Sequence, residues 1–397
     1  MPLVTVCVPA YRSAQFIGHT LAALRDQTFR DFQVRIAVEP RDTIATVDAC
    51  LPFLDDPRFD VTVNQDVLGW DGNVRALLQR VDTPLYAIQL HDDVPHPGYL
   101  EALVEAIAER PDASVAFSDV YLFGTETGRR GSDLPDAGPS ERELAFFMGG
   151  AEGHPFRGLS RREVLTMDFP MNEFTGFAVE TEWAHHLVRS GVALRVARPL
   201  YFKRARPVDN DSVTNRWRHR MEPDRLRAAL EHNRARLLSA IGPDDGSDIP
   251  DSLVRLAAEA AMFRRWHAVS AGRLPFGVTQ LGRATEVLKS LAMIDDVRGR
   301  HIAATVHVAL SCHWQVVGDH DASERSARAA VEGDPSHVEA CLRLASLLWA
   351  PEGIGEMVDL LARASEGAPL GVATQAVAAN VARTLRVSYR QSDDPPA

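Results

Sequence analysis

The stretch Thr83–Leu100, TPLYAIQLHDDVPHPGYL, decides how the rest of the chain is read. Leu85, Tyr86, Ala87, Ile88 and Leu90 form a run too apolar for a half-wet strand, so it suits a parallel strand covered on both faces. Asp92 and Asp93 follow at its C-terminal end, where open α/β sheets leave a crevice for ligands. Pro95 and Pro97 then break the backbone before Gly98-Tyr99-Leu100 opens a helical pattern through Ile107. Two adjacent acids on a rigid turn can hold a divalent cation, and a hard cation with oxygen ligands in turn holds phosphates. The plainer reading is a solvated turn or helix cap, and the dipeptide alone favours it.

The chain has 397 residues, long for one core, so two domains are expected. Hydrophobic residues at 45% and charged residues at 24% describe a globular protein, and the net charge of -11 argues against a nucleic-acid partner. Cys7, Cys50, Cys312 and Cys341 have no close spacing, so neither a zinc motif nor a disulfide framework is indicated. No secretory signal and no apolar run of about 20 residues is visible. The expected location is cytoplasmic, free or peripheral at the inner face of the membrane.

Outward from the opening stretch, Leu3–Val8, Phe32–Val38 and Phe59–Val63 read as strands, with Phe16, Ile17, Leu21 and Leu24 at helical spacing between the first two. Strand, helix and strand within about forty residues make a βαβ unit with parallel pairing. A helix is expected over Thr43–Leu54, a loop over Leu68–Asn73 and a helix from Val74 to Val81. Further on, Ala113–Phe123 reads as a strand, Gly124–Ser140 as a mobile loop and Glu141–Met148 as a short helix. Arg157, Arg161 and Arg162 form a possible anion contact or a solvated helix start. Val179–Val188 reads as a helix that stops at Ser190-Gly191, and Leu194–Phe202 as a last strand before the basic cluster Lys203, Arg204 and Arg206. Neither GxGxxG nor GxxxxGK[ST] follows the first strand.

From Asp224 the chain turns helical, with Pro243–Pro250 as a linker candidate. Pro335 and Pro369 lie 34 residues apart, as do Ala330 and Ala364. They mark two helix pairs, His301–Val317 with Ala322–Gly333 and Ser336–Trp349 with Ile354–Gly367, a period typical of tetratricopeptide repeats. Val372–Tyr389 would cap the array, and Ser252–Ser270 with Val278–Asp295 would form a degenerate earlier pair. The expected domains are 1–222, a helix and linker over 223–250, and a helical tetratricopeptide-like domain over 251–397.

Five segments in order resemble the inverting nucleotide-sugar glycosyltransferases of family 2. They are VTVCVPAY at Val4–Tyr11, QTFRDF at Gln27–Phe32, LHDD with PGYL at Leu90–Leu100, VETEWAHHLVRSG at Val179–Gly191 and LYFKR at Leu200–Arg204. The resemblance spans about residues 3–217 and implies an α/β domain of GT-A fold, a Rossmann-like mixed, mostly parallel sheet, ahead of the all-α region. It implies a metal (Mg2+ or Mn2+) on Asp92, with Asp93 beside it and His91 as a softer ligand. It also implies a general base at Glu180, with Glu182 as fallback. Pro9, Ala10, Tyr11, Glu39, Asn73 and Asp92 fall where the family lines its donor pocket. Trp183 is expected to pack rather than to stack on a sugar.

Physically, such a reaction must stabilise a leaving nucleoside diphosphate and deprotonate an acceptor hydroxyl on the opposite face of the sugar. The chain departs from the family at three places. Glu39-Pro40-Arg41-Asp42 replaces an Asp-Asp-Gly-Ser turn, Leu90 replaces the first acid of Asp-x-Asp, and Val-Glu replaces Glu-Asp on the base helix. VTNRW at Val213–Trp217 is a faint match to a processive motif, so single transfers are expected. The acceptor, a glycan, small molecule or protein, is not named by the sequence. A degenerate transferase acting as a protein-binding adaptor through its repeats is the rival reading, and a sugar nucleotidyltransferase a third.

Overall fold

The computed structural model describes residues 2–40, 43–165, 169–174, 176–206, 220–242, 247–270, 274–294, 296–348 and 353–366. The chain divides into two compact units, Met1–Asn210 with Glu231–Val254, and Asp211–Leu230 with Arg255–Ala397.

The first unit is built on a mixed sheet. Strand β1 (Val4–Ala10) is buried at every position and pairs in parallel with β2 (Phe32–Val38), from Val4 opposite Phe32 to Ala10 opposite Val38. β3 (Phe59–Val63) extends this parallel set beyond β2, and β4 (Leu85–Ile88) extends it on the other side of β1. In β1 and β4 every residue is buried, as suits central parallel strands with both faces covered. The sheet then turns antiparallel at β8 (Leu159–Arg161), which lies between β4 and β6 (Ala113–Gly124). β9 (Val192–Ala205) runs parallel to β6, and the short β5 (Val94–Pro95) closes the path antiparallel to β9.

Strand alternation sorts the side chains of β1. Val4, Val6, Val8 and Ala10 join one core with Ile17, Leu21 and Leu24 of α1 (Ile17–Arg25) and with Tyr99, Leu100, Leu103 and Ile107 of α4 (Tyr99–Ala108). Two short helices, α2 (Thr43–Cys50) and α5 (Pro139–Met148), and two that border the candidate site, α3 (Gly69–Leu78) and α6 (Val179–Ser190), complete the crossovers.

Three local expectations are corrected. The segment 68–73 is not a loop, because α3 begins at Gly69 and buries Asp71, Gly72 and Asn73. The supposed mobile loop 124–140 contains β7 (Gly128–Arg130), paired with β6. The region of Arg157, Arg161 and Arg162 is not a solvated helix start: Arg157 is 6% exposed, and Arg161 donates to the carbonyls of Ala113, Ile107 and Arg110.

Helix α7 (Pro223–Ala240) is divided between the units, and among the described residues six helices follow. They are α8 (Asp251–Ser270), α9 (Val278–Leu291), α10 (Val297–Val317), α11 (His320–Gly333), α12 (Val338–Leu347) and α13 (Ile354–Glu366). Asp296 caps α10, Asp319 caps α11 and His337 caps α12 by accepting backbone N–H bonds, which sharpens each turn. The residues Val213–Trp217, Val372–Tyr389 and Pro369 lie outside the described residues. Among the described residues no helix is long and apolar enough to cross a membrane.

Candidate active site

The segment between β4 and β5 is pinned from several sides. The Gln89 N–H donates to Cys7 O at 2.9 Å, carrying the ladder one step past β4. The Gln89 amide donates to the carbonyls of Leu90 and Asp93, both at 3.2 Å, and the Thr20 hydroxyl lies 2.9 Å from the carbonyls of His91 and Asp93. His91 Nδ1 is 2.9 Å from Pro9 O. A carbonyl only accepts, so Nδ1 carries a proton and donates it.

The two aspartates face different surroundings. Asp92 Oδ2 is 2.5 Å from Arg206 Nη2, and Arg204 Nε donates to the Asp92 carbonyl at 3.2 Å. Burial works against its charge, but His91 and Arg206 outweigh it and hold the carboxyl below the usual range. Asp93 is turned inward and is 1% exposed: Tyr201 OH donates to Oδ2 at 3.0 Å and Arg204 N to Oδ1 at 2.9 Å. Burial first, and the charge of Asp92 second, push its carboxyl up. Through these bonds Asp93 fastens β9 to the turn.

The two glutamates of α6 also part. Glu182 is 8% exposed and accepts from Asn233 Nδ2 at 3.0 Å and Arg236 Nε at 3.2 Å, so both its oxygens serve to hold α7. Glu180 is half-buried in the first turn and acts on Arg157 and Lys203. Burial opposes the charge of Arg157, but Glu180, Tyr201, Asp93 and Asp92 sustain it and raise its pKa. Arg157 Nε lies 3.9 Å from Asp93 Oδ2. Arg157 therefore stands in the field of Glu180 and of both aspartates. Lys203 is pushed down, first by the like charge of Arg157 and then by burial, against the pull of Glu180, Asp93 and Glu152.

Of the expected donor-pocket residues, Pro9, Ala10, Tyr11 and Glu39 lie at the C-terminal ends of β1 and β2, Asn73 lies in α3 and Asp92 follows β4. Pro9 and Ala10 are buried, Tyr11 is half-buried, and the Arg12 guanidinium lies 5.3 Å from the Tyr11 ring centroid. Arg12 and Ala178 adopt left-handed φ of 46° and 58°, a strain of about 1–3 kcal/mol each that concentrates at functional sites. Glu39 is 2% exposed; its carboxylate accepts from Asn64 Nδ2 at 3.1 Å and Leu68 N at 3.0 Å, and burial raises its pKa against these bonds. Asn73 donates to Ala37 O at 2.9 Å and accepts from Asn64 at 3.1 Å. Both side chains are thus spent on shaping the entry to α3. Trp183 is fully buried against Phe169, 5.3 Å between centroids.

The implied divalent cation is a poor fit. One carboxylate can suffice for such an ion when phosphates supply the other oxygens, so the count is not decisive. The charge is: an ion at Asp92 would meet the Arg206 guanidinium in contact and Arg204 beside it. Among the described residues no group of three His, Cys, Asp or Glu is arranged to hold a metal.

The sequence marks Arg157 only as one of three arginines in a possible anion contact, and Tyr201 only as part of LYFKR. Neither carries a motif of its own. The available signal was the basic run Lys203, Arg204 and Arg206, which in a sheet protein must end beside another strand end.

Residues 5–166 match the sequence model of Glycosyl transferase family 2. That span is similar to the family 2 transferase domain, which supports a glycosyltransferase. Among solved structures it resembles S. aureus TarS residues 1–349 in complex with UDP-GlcNAc, at 13% identity and TM-score 0.56, covering 84% of this chain and 91% of that one. The same TarS fragment alone matches at 13% identity, TM-score 0.54 and 84% and 92% coverage. Its complex with UDP matches at 14%, TM-score 0.51 and 92% and 91% coverage. These likenesses establish a GT-A-like sheet domain followed by helices. No curated protein matches the chain.

Proposed function

We propose that the chain transfers a single sugar from a nucleotide-sugar donor to an acceptor hydroxyl with inversion at the anomeric carbon. In this reading Pro9, Ala10 and Tyr11 border the nucleoside, while Glu39 and Asn73 shape the pocket wall from behind. Glu180 takes the acceptor proton as the acceptor oxygen attacks; the anomeric C–O bond breaks and its electrons leave with the diphosphate. The observation that carries this reading is the place of Arg157: its Nε lies 3.9 Å from Asp93 Oδ2, and its Nη1 and the Glu180 Cγ both approach Gly153, 3.9 and 3.6 Å from where a Cβ would stand there. The acid meant for the acceptor and the acid meant for the donor thus face one cation. The donor set at Asp92, with Arg206 and Arg204 against it, does not favour Mg2+ or Mn2+.

TarS 1–349 was solved with UDP-GlcNAc and with UDP, so uridine diphosphate sugars are the first donors to test. We also infer that α10–α11 and α12–α13 are two tetratricopeptide-like repeats, with the domain limits 1–222, 223–250 and 251–397. Ala330 and Ala364, 34 residues apart, are both buried in one core with Ala327, Leu344 and Leu360. Such an array would bind a protein partner or present a protein acceptor. The test is a panel of nucleotide sugars incubated with the full chain, followed by proton NMR of the released or transferred sugar. Inverted anomeric configuration supports the reading; a retained configuration, or no turnover of any donor, removes it.

A further inference from the structure

If a nucleoside diphosphate is the leaving group, as proposed above, its growing negative charge must be taken up at the site. The groups around Asp92 are placed to do so. Arg206 is held from two sides, by the Asp92 carboxylate at 2.5 Å and by the Phe16 ring, 4.4 Å from its guanidinium carbon. Arg204 is held likewise, by the Asp92 carbonyl at 3.2 Å and by the rings of Phe16 and Phe123 at 5.0 and 4.6 Å. Arg157 is 6% exposed, its Nη1 donates to Gly153 O at 3.3 Å, and its Nε has no hydrogen-bond partner. A buried guanidinium with an unused donor beside two acids is an unfinished anion site. Lys203, next to Arg204 on β9, acts electrostatically on the same group of residues.

We propose that fixed side-chain cations, Arg157, Lys203, Arg204 and Arg206, neutralise the leaving diphosphate in this chain, and that Asp92 serves to hold Arg206 rather than a divalent ion. Guanidinium groups suit this role because their planar donor pairs match phosphate oxygens. Aromatic faces and the Asp92 carboxylate fix them in advance, so little reorganisation is needed as charge builds. When the anomeric C–O bond breaks, its electron pair passes to the β-phosphate oxygen, and these cations meet that growing charge while the acceptor proton goes to Glu180. Phe16 is then a positioning residue for both arginines.

Calorimetric titration of the full chain with UDP, GDP, ADP, CDP, dTDP and inorganic pyrophosphate, first in EDTA and then with Mn2+, tests this. The expected result is binding of at least one nucleoside diphosphate with the same affinity in both conditions. Arg206→Gln and Lys203→Met are each expected to weaken it by roughly 10-fold or more in EDTA. In Arg206→Gln, Asp92 loses its partner, so Mn2+ should now bind, read by loss of the free-ion electron paramagnetic resonance signal. Wild-type binding that appears only with Mn2+ overturns this assignment and leaves the transferase reading standing. Failure of every diphosphate in both conditions sinks the two together.

Discussion

Glu182 and Arg236 form an ion pair, Oε2 to Nε at 3.2 Å, that ties the first turn of α6 to α7. Asn233 takes the other oxygen of the same carboxylate. Two residues earlier, Glu180 acts on Arg157 and Lys203 instead. Side chains two apart on a helix point in different directions, so one turn supplies a latch and a candidate base.

Glu182→Gln should therefore cost stability and spare chemistry. Losing a charge-assisted bond to a mostly buried acid is expected to lower stability by about 1–3 kcal/mol. Turnover should stay within about 3-fold of wild type, below the loss expected for a general base. Thermal melting and kcat on one preparation check both. A kcat collapse without loss of stability would move the base to Glu182.

Gly158 sets the place of Arg157. A Cβ there would lie 2.5 Å from Ala116 O and 2.6 Å from Val115 Cγ2, closer than side chains come to a neighbouring strand. Gly158→Ala must push β8 off β6 and carry Arg157 with it. A destabilisation of roughly 1–3 kcal/mol is expected, together with weaker diphosphate binding. Melting and titration of the variant would show it.

The helical unit should weaken in mild acid. Burial, aided by the charge of His301, lowers His337 from 6.5 to about 4, and burial lowers His267 to about 4 as well. His337 is held neutral by its bonds, accepting from Ala340 N at 3.2 Å and lying 3.0 Å from Thr305 Oγ1. Asp334, Glu339 and Arg264 also face it, and Asp334, itself lowered below 3.8, titrates beneath this window. Between pH 6.5 and 4 the unfolded chain binds more protons, so stability is full above 6.5 and falls as the pH drops. For His337 the loss is about 3 kcal/mol at most. Hydrogen exchange in α10 and α12 should speed up from pH 7 to 4, after correction for intrinsic rates, and less so in His337→Asn, which keeps an N-cap acceptor.

Strands β2 and β3 were legible to the residue, because their β-branched runs end in polar turns on both sides. The start of α3 was not. Gly69 and Gly72 advertise a loop, yet Gly176 closes on Trp70 and Asp71 accepts from Asn172 N at 3.3 Å, and these contacts keep the segment helical. β7 and β8 span three residues each, too short to carry a period, and exist only by pairing with β6. At the site, the positions of Asp92 and Glu180 could be read from the order of segments. The inward turn of Asp93 and the burial of Arg157 could not, since both depend on β9 returning beside β5.

Small residues in the core of α10–α13 should be intolerant of bulk. Ala330 is fully buried and Ala364 is 2% exposed in the core they share with Leu344 and Leu360. Ala330→Leu is expected to destabilise α10–α13 by roughly 1–3 kcal/mol while leaving donor hydrolysis by the sheet domain within about 2-fold. Local hydrogen exchange and a hydrolysis assay separate the two effects.

Nucleotide-sugar turnover by wild type beside Glu180→Gln, with diphosphate affinity measured on both, bears most directly on the account. A base acting on the acceptor predicts a fall in kcat of about 10²-fold or more with affinity unchanged. Equal kcat in the two proteins would contradict it.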